Sequence, residues 1–239
     1  MDKTFCSRCG RKLEKRRLEN RERGFCITCQ AAAAGAARPA VDLRLPWGAY
    51  VITSGDHLRL AREACRGGAR IIQYRDKEAS SARRLDIARQ IRSVTREFGT
   101  LFVVNDQIDI AILSEADGVH LGQEDIAISD ARPLLPPGMI IGVSCSSLVQ
   151  AREAERQGAD YLGIGAVFAT PTKAEYSVAG LELLRRIAAE ISILLVAIGG
   201  INLDNMAEVK AAGVRNVAMV REFQNDTAAK VATVNSFFI

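Results

Sequence analysis

Residues 101–125, LFVVNDQIDIAILSEADGVHLGQED, decide the architecture of this 239-residue chain. The run 101–104 is apolar and rich in β-branched residues, the mark of a strand buried on both faces. Asn105 and Asp106 end it, because polar residues cannot continue such a strand. Ile108, Ala111 and Ile112 then recur at helical spacing. A second strand over 117–121 stops at another polar cluster, Gly122-Gln123-Glu124-Asp125. Each strand therefore has an acid just past its C-terminal end, the edge where parallel α/β folds bind ligands. Two carboxylates from neighbouring strands suit Mg²⁺, which takes one or two protein carboxylates and completes its shell with water and substrate phosphate. A purely local role competes with this: Asp106 as a helix cap and Asp125 as a turn residue. The paired placement favours the metal.

Working outward, the same alternation recurs. Strands are predicted over 49–53, 70–74, 101–104, 117–121, 139–143, 160–164, 193–198 and 216–220. Between them lie helical patterns, including one capped by Ser80 or Ser81 with Leu85, Ala88, Ile91, Val94 and Phe98 on one face. Others cover about 129–135, 148–157, 181–190 and 204–211, and a last helix covers 227–237. Eight β-α units in ~190 residues make an α/β protein of the (β/α)8 TIM-barrel class. An open doubly wound sheet has no use for eight even repeats. A hydrophobic content of 48% with only 5% aromatics suits α/β packing better than a β-sandwich. No apolar run is long enough to span a bilayer. The N-terminus is charged and cysteine-bearing, without the apolar core of a signal peptide. The expected location is cytoplasmic.

The N-terminal segment has a different character. Cys6-x-x-Cys9 and Cys26-x-x-Cys29 match a four-cysteine zinc spacing, each pair offering two thiolates to one tetrahedral ion. Residues 1–40 hold ten Lys and Arg against four acids, so the net charge of +4 resides entirely in this tail. The reading is a small zinc-ribbon-like module over 1–30 with a structural Zn²⁺, an Ala-rich linker over 31–47, and a barrel domain over 48–239. The basic segment 11–23 raises nucleic-acid contact as an alternative. The lack of interleaved aromatics other than Phe25 speaks against it. Cys65 and Cys145 stand outside this set; Cys65 falls in a helical stretch and reads as packing.

The residues past each strand share one face of a barrel. They are Arg75 and Lys77, then Asn105 and Asp106, then Asp125, then Ser144, then Thr170, Thr172 and Lys173, then Gly199 and Gly200. Three cations, two acids and glycine- or hydroxyl-rich loops describe a site for phosphates and Mg²⁺. Gly199-Gly200 brings backbone N–H groups close to a phosphate. His120 lies within a strand and reads as a hydrogen-bonded core residue, and His57 opens a helix. With these two as the only histidines, a Ser-His-Asp triad has weak support.

Gln73-Tyr74-Arg75-Asp76-Lys77, Asn105-Asp106, the run 116–125 (ADGVHLGQED), Gly142-Val143-Ser144, Thr170-Pro171-Thr172-Lys173 and Ile198-Gly199-Gly200-Ile201 together resemble the signature series of the thiamine-phosphate synthase family. They occur in the family's order, across roughly 48–220. The resemblance implies a transferase that joins a hydroxymethylpyrimidine diphosphate to a thiazole phosphate, releasing pyrophosphate. It implies that Gln73 to Lys77, Asn105 and Ser144 contact the pyrimidine diphosphate and that Asp106 and Asp125 hold Mg²⁺. Thr170, Pro171, Thr172 and Gly200 would hold the thiazole phosphate and Lys173 the diphosphate, with Arg75, Lys77 and Lys173 as the catalytic cations. The implied partners are these small molecules, not a membrane or nucleic acid, and a homo-oligomer is compatible with the sequence. The family usually ends its eighth strand with a small residue such as Ser, then Ala; here the chain reads Val220-Arg221-Glu222-Phe223. Arg221 either adds a phosphate contact or crowds the pocket. Two alternatives follow from the departures: a catalytically degenerate barrel with a zinc-ribbon regulatory or nucleic-acid-binding role, or a related thiazole tautomerase. The tautomerase carries a His in the loop after strand five, where this chain has Ser144-Cys145-Ser146-Ser147.

Overall fold

A closed parallel barrel is what the eight predicted strands form. The computed structural model describes residues 47–169 and 180–239. Cys6, Cys9, Cys26 and Cys29, and likewise Thr170, Pro171, Thr172 and Lys173, lie outside the described residues. The strands are β1 (Gly48–Thr53), β2 (Ile71–Tyr74), β3 (Leu101–Asn105), β4 (Gly118–Leu121), β5 (Ile140–Cys145), β6 (Tyr161–Ile164), β7 (Leu194–Ile198) and β8 (Asn216–Met219). Each pairs in parallel with its successor, and β8 closes on β1. Outside them run α1 (His57–Arg66), α2 (Ser81–Phe98), α3 (Ile108–Leu113), α4 (Ile128–Ala131), α5 (Leu148–Arg156), α6 (Gly180–Glu190), α7 (Met206–Ala211) and α8 (Thr227–Phe238). No helix among the described residues is long and apolar enough to cross a membrane.

Two departures from the expected boundaries have local causes. The helix after β4 stops at Ala131 instead of 135. Pro133 has no N–H to donate to the carbonyl of residue 129, so the helix cannot propagate. β5 runs two residues further than expected, because Ser144 and Cys145 still pair with Gly163 and Ile164 of β6.

Alternation along each strand separates two buried layers. Ala49, Val51, Ile72, Tyr74, Phe102 and Val104 face outward into the apolar layer shared with the helices. The intervening residues, such as Tyr50, Gln73, Asn105, His120, Ser144 and Tyr161, line the interior cavity. Nearly every strand residue in both layers is buried, which is why the strands read as near-continuous apolar runs. Gly142 leaves room for the Tyr161 ring; a Cβ there would lie 2.0 Å from the ring's Cζ.

The N-terminal end of the barrel is bolted by charge. Asp117, just before β4, accepts two bonds from Arg92 of α2 at 2.6 and 2.9 Å and one from the Phe102 N–H at 2.9 Å. Asp160, just before β6, repeats the device with Arg132 and the Ile141 N–H. At the closure, the buried Asn216 accepts from the Trp47 N–H at 2.6 Å and donates to the Leu195 carbonyl at 2.7 Å, tying β8 to its neighbours. These contacts hold the end opposite the candidate site.

Candidate active site

At the C-terminal ends of the strands a cavity of about 720 Å³ opens, and most of the residues singled out at strand ends line it. Gln73, Arg75 and Lys77 enter from β2 and its loop. Asn105, Asp106 and Asp125 enter from β3 and β4, and Ser144 and Gly200 from β5 and β7. Tyr74 and Asp76 do not join them. The extended backbone continues its period of two past the strand, so alternate side chains point into the wall. Tyr74 is buried in the outer layer, its ring edge-on to His57 at 4.9 Å between centroids. Asp76 accepts the Glu78 and Ala79 N–H groups, each at 3.0 Å, and lies 3.4 Å from His57 Nε2. Those contacts hold its carboxyl below the usual carboxylate range, and burial pushes His57 down, toward the neutral ring.

Asp106 sits where β3 turns, with φ 61°, a left-handed conformation that Asp adopts more readily than most side chains. Its N–H bonds the His120 carbonyl at 2.8 Å, extending the β3–β4 ladder by one residue. This strained turn aims the carboxylate across to the β4 loop. There Asp125 is folded back by its own bond from the Gly122 N–H at 2.6 Å. Half-burial and the adjacent Asp125 together raise Asp106 above the ordinary carboxylate range, with Lys77 and Arg75 opposing. Lys77 Nζ stands 3.7 Å from Asp106, a mostly exposed pair of small energetic weight. Two carboxylates pressed together at the mouth of a cavity are a pair that a divalent cation would relieve. Among the described residues no group of three or more His, Cys, Asp or Glu forms a metal cage. The donor set therefore fits Mg²⁺, which needs only one or two protein carboxylates, better than Zn²⁺, which takes three or four protein ligands.

Gly199 and Gly200 follow β7 with φ 98° and 66°, a backbone open to glycine and strained for other residues. Space demands glycine too: a Cβ on Gly200 would lie 2.7 Å from the Ala169 carbonyl oxygen and from Phe168 Cβ. Arg221 lines the cavity from the loop after β8. Its neighbour Glu222 is held by Lys230 at 2.9 Å.

The floor of the cavity contains a network that the strand ends did not reveal. Gln73 Nε2 donates to the Tyr50 hydroxyl at 2.8 Å, which meets the Tyr161 hydroxyl at 2.7 Å. His120 bridges onward from Tyr161 at 3.0 Å to Ser144 Oγ at 2.9 Å. His120 is thus a buried, hydrogen-bonded residue, as its sequence position suggested, and it also faces the cavity. Burial drives both tyrosine hydroxyls far above their usual range, so they stay protonated. The available signal was inward register on β1, β4 and β6, which only the closed barrel makes visible.

Residues 49–223 match the family described as thiamine monophosphate synthase. The thiamine-phosphate synthase of Moorella thermoacetica is 49% identical over 164 residues, covering 68% of this chain and 78% of the relative. That of Caldivirga maquilingensis is 43% identical over 183 residues, covering 74% and 89%. The solved structure of a thiamine phosphate pyrophosphorylase from Pyrococcus furiosus superposes with a TM-score of 0.76 at 40% identity, covering 82% of this chain and 98% of that one.

Proposed function

The chain belongs to the thiamine monophosphate synthase family, and on that premise we propose the reaction its site performs. As a thiamine-phosphate synthase, a transferase of thiamine biosynthesis, it condenses 4-amino-2-methyl-5-(diphosphooxymethyl)pyrimidine with a thiazole phosphate. The products are thiamine phosphate and pyrophosphate. The observation that carries this reading is the shared rim: Arg75, Lys77, Asp106 and Asp125 border one cavity of about 720 Å³.

Departure of a diphosphate asks for charge stabilisation and positioning rather than a strong base. Arg75 and Lys77 face the space where the diphosphate lies and neutralise charge growing on the leaving oxygens. Asp106 and Asp125 would hold Mg²⁺, which when bound supplies further neutralisation of phosphate oxygens. Asn105, Gln73 and Ser144 orient the pyrimidine end, Gln73 and Ser144 being fixed by the tyrosine–histidine network. The C–O bond to the diphosphate breaks first, leaving a pyrimidine-stabilised cation that the thiazole nitrogen captures. The Gly199-Gly200 turn presents backbone N–H groups to the thiazole phosphate. Thr170, Pro171, Thr172 and Lys173 enter this assignment from the sequence pattern alone. A degenerate barrel or a tautomerase is the less favoured reading, since relatives at 43–49% identity bear the synthase name. Purified protein incubated with both substrates and Mg²⁺ should release pyrophosphate; none above blank overturns the synthase reading.

For the N-terminal segment we propose the zinc-ribbon-like module over 1–30, with Cys6, Cys9, Cys26 and Cys29 on one structural Zn²⁺ and 31–47 as linker. Metal analysis should find one zinc per chain, lost on replacing Cys6 and Cys9 by Ser.

A further inference from the structure

Asp76 stands between two cations that serve the leaving group, yet its side chain turns the other way. It packs against α1, where His57 bridges it to the end of β1: Nδ1 meets Thr53 Oγ1 at 2.9 Å and Nε2 lies 3.4 Å from Asp76 Oδ2. An ionised carboxylate only accepts, so Nε2 carries the ring proton, and the Thr53 hydroxyl donates to Nδ1. The order hydroxyl, imidazole, carboxylate resembles a hydrolytic triad. Thr53 borders the cavity, but it has no exposed surface and its hydroxyl is turned to His57, so its oxygen is not presented to a substrate as a nucleophile. The chain of bonds instead fixes a loop. Asp76 Oδ1 gathers the Glu78 and Ala79 N–H groups, and the Lys77 carbonyl accepts from Arg84 of α2 at 2.9 Å. Residues 75–79 are thus held from inside by Asp76, from one side by α1 and from the other by α2.

We propose that His57 is a positioning residue for the diphosphate site: through Asp76 and Thr53 it sets the backbone from which Arg75 and Lys77 reach the leaving group. It touches no substrate, since its ring is buried among Thr53, Tyr74 and Asp76. The inference rests on the assignment of Arg75 and Lys77 to the diphosphate. It predicts a selective defect, because the elements His57 ties together, the end of β1 and the β2 loop, line the cavity through Thr53, Arg75 and Lys77, whereas Gly199 and Gly200 enter from β7.

The test uses pyrophosphate with Mg²⁺ as the probe, followed by isothermal titration calorimetry, alongside steady-state kinetics of the full chain. His57→Phe keeps the edge contact with Tyr74 and removes both polar links. It should weaken pyrophosphate between about tenfold and a hundredfold, the scale of a catalytic group displaced by an ångström. The KM for thiazole phosphate should stay within about twofold of wild type, well below a factor of 10. Thr53→Val removes the donor to Nδ1 and should show the same selectivity, which keeps the test alive should the Phe variant not fold. Thr53→Ser retains the hydroxyl and should restore pyrophosphate affinity. Unchanged pyrophosphate binding in both His57→Phe and Thr53→Val, or equal weakening of both substrates, overturns the proposal. Wild-type protein that binds no pyrophosphate and shows no turnover would instead overturn the functional reading beneath it.

Discussion

Replacing Asp106 by Asn should make the metal-free protein more stable and the enzyme inactive. Asn tolerates the left-handed turn at φ 61° and keeps the backbone bond to His120. The change removes a half-buried negative charge and its repulsion with Asp125, and loses the ion pair with the exposed Lys77 and the weaker attraction of Arg75. After solvent screening, the net gain at neutral pH is on the order of 0.5–1 kcal/mol. For a chain of this size that raises Tm by roughly 1–4 °C. The pH dependence follows from the raised carboxyl. Its folded form holds a proton more tightly than the unfolded chain does, so its contribution to stability is full below the ordinary carboxylate range. That contribution is lost as pH rises through the folded value. The advantage of the Asn variant is therefore largest at neutral pH and disappears in acid. Adding Mg²⁺ at a hundred times its Kd should stabilise wild type by about 2.7 kcal/mol and leave the variant unmoved. Turnover should fall by at least about a hundredfold with loss of the metal ligand. Thermal unfolding at several pH values, with and without Mg²⁺, reads all of this. A lower Tm for the variant without metal, or equal Mg²⁺ stabilisation of both proteins, refutes the reasoning.

Asp117→Asn leaves the Arg92 guanidinium without its charge partner in a mostly buried site. It should cost about 3 kcal/mol, seen in urea unfolding, with kcat retained well below Tm. Gly200→Ala puts a side chain into a left-handed turn and against the Ala169 carbonyl. It should raise the KM for thiazole phosphate by at least about tenfold and spare pyrophosphate affinity, both measurable in the two-substrate assay. Deleting residues 1–40 should leave turnover within a few-fold, roughly the scatter expected of a change outside the site; complete loss would show that the N-terminal segment completes the site.

The strands were legible because each is a short apolar run ended by polar residues, and their order around the barrel followed from eight even repeats. Asp106, Asp125, Arg75 and Lys77 were legible for the same reason, since strand ends of a barrel share one rim. Tyr50, Tyr161 and the cavity role of His120 were not. In a parallel strand buried on both faces, inward and outward residues look alike, and register emerges only on closure. A contiguous motif hides the alternation of its side chains, so Tyr74 and Asp76 read like their cavity-lining neighbours. The apolar pattern beyond Pro133 mimics a longer helix, but the proline's missing N–H ends it at Ala131.

That pentapeptide after β2 also constrains how the chain can change length. Odd positions, Gln73, Arg75 and Lys77, face the cavity; even ones, Tyr74 and Asp76, pack into the wall. Inserting or removing a single residue between them would exchange the two sets, driving guanidinium into the apolar wall and a tyrosine ring into the cavity. Insertions should be tolerated only beyond Ala79, where the Asp76 turn has released the backbone from that strict beat.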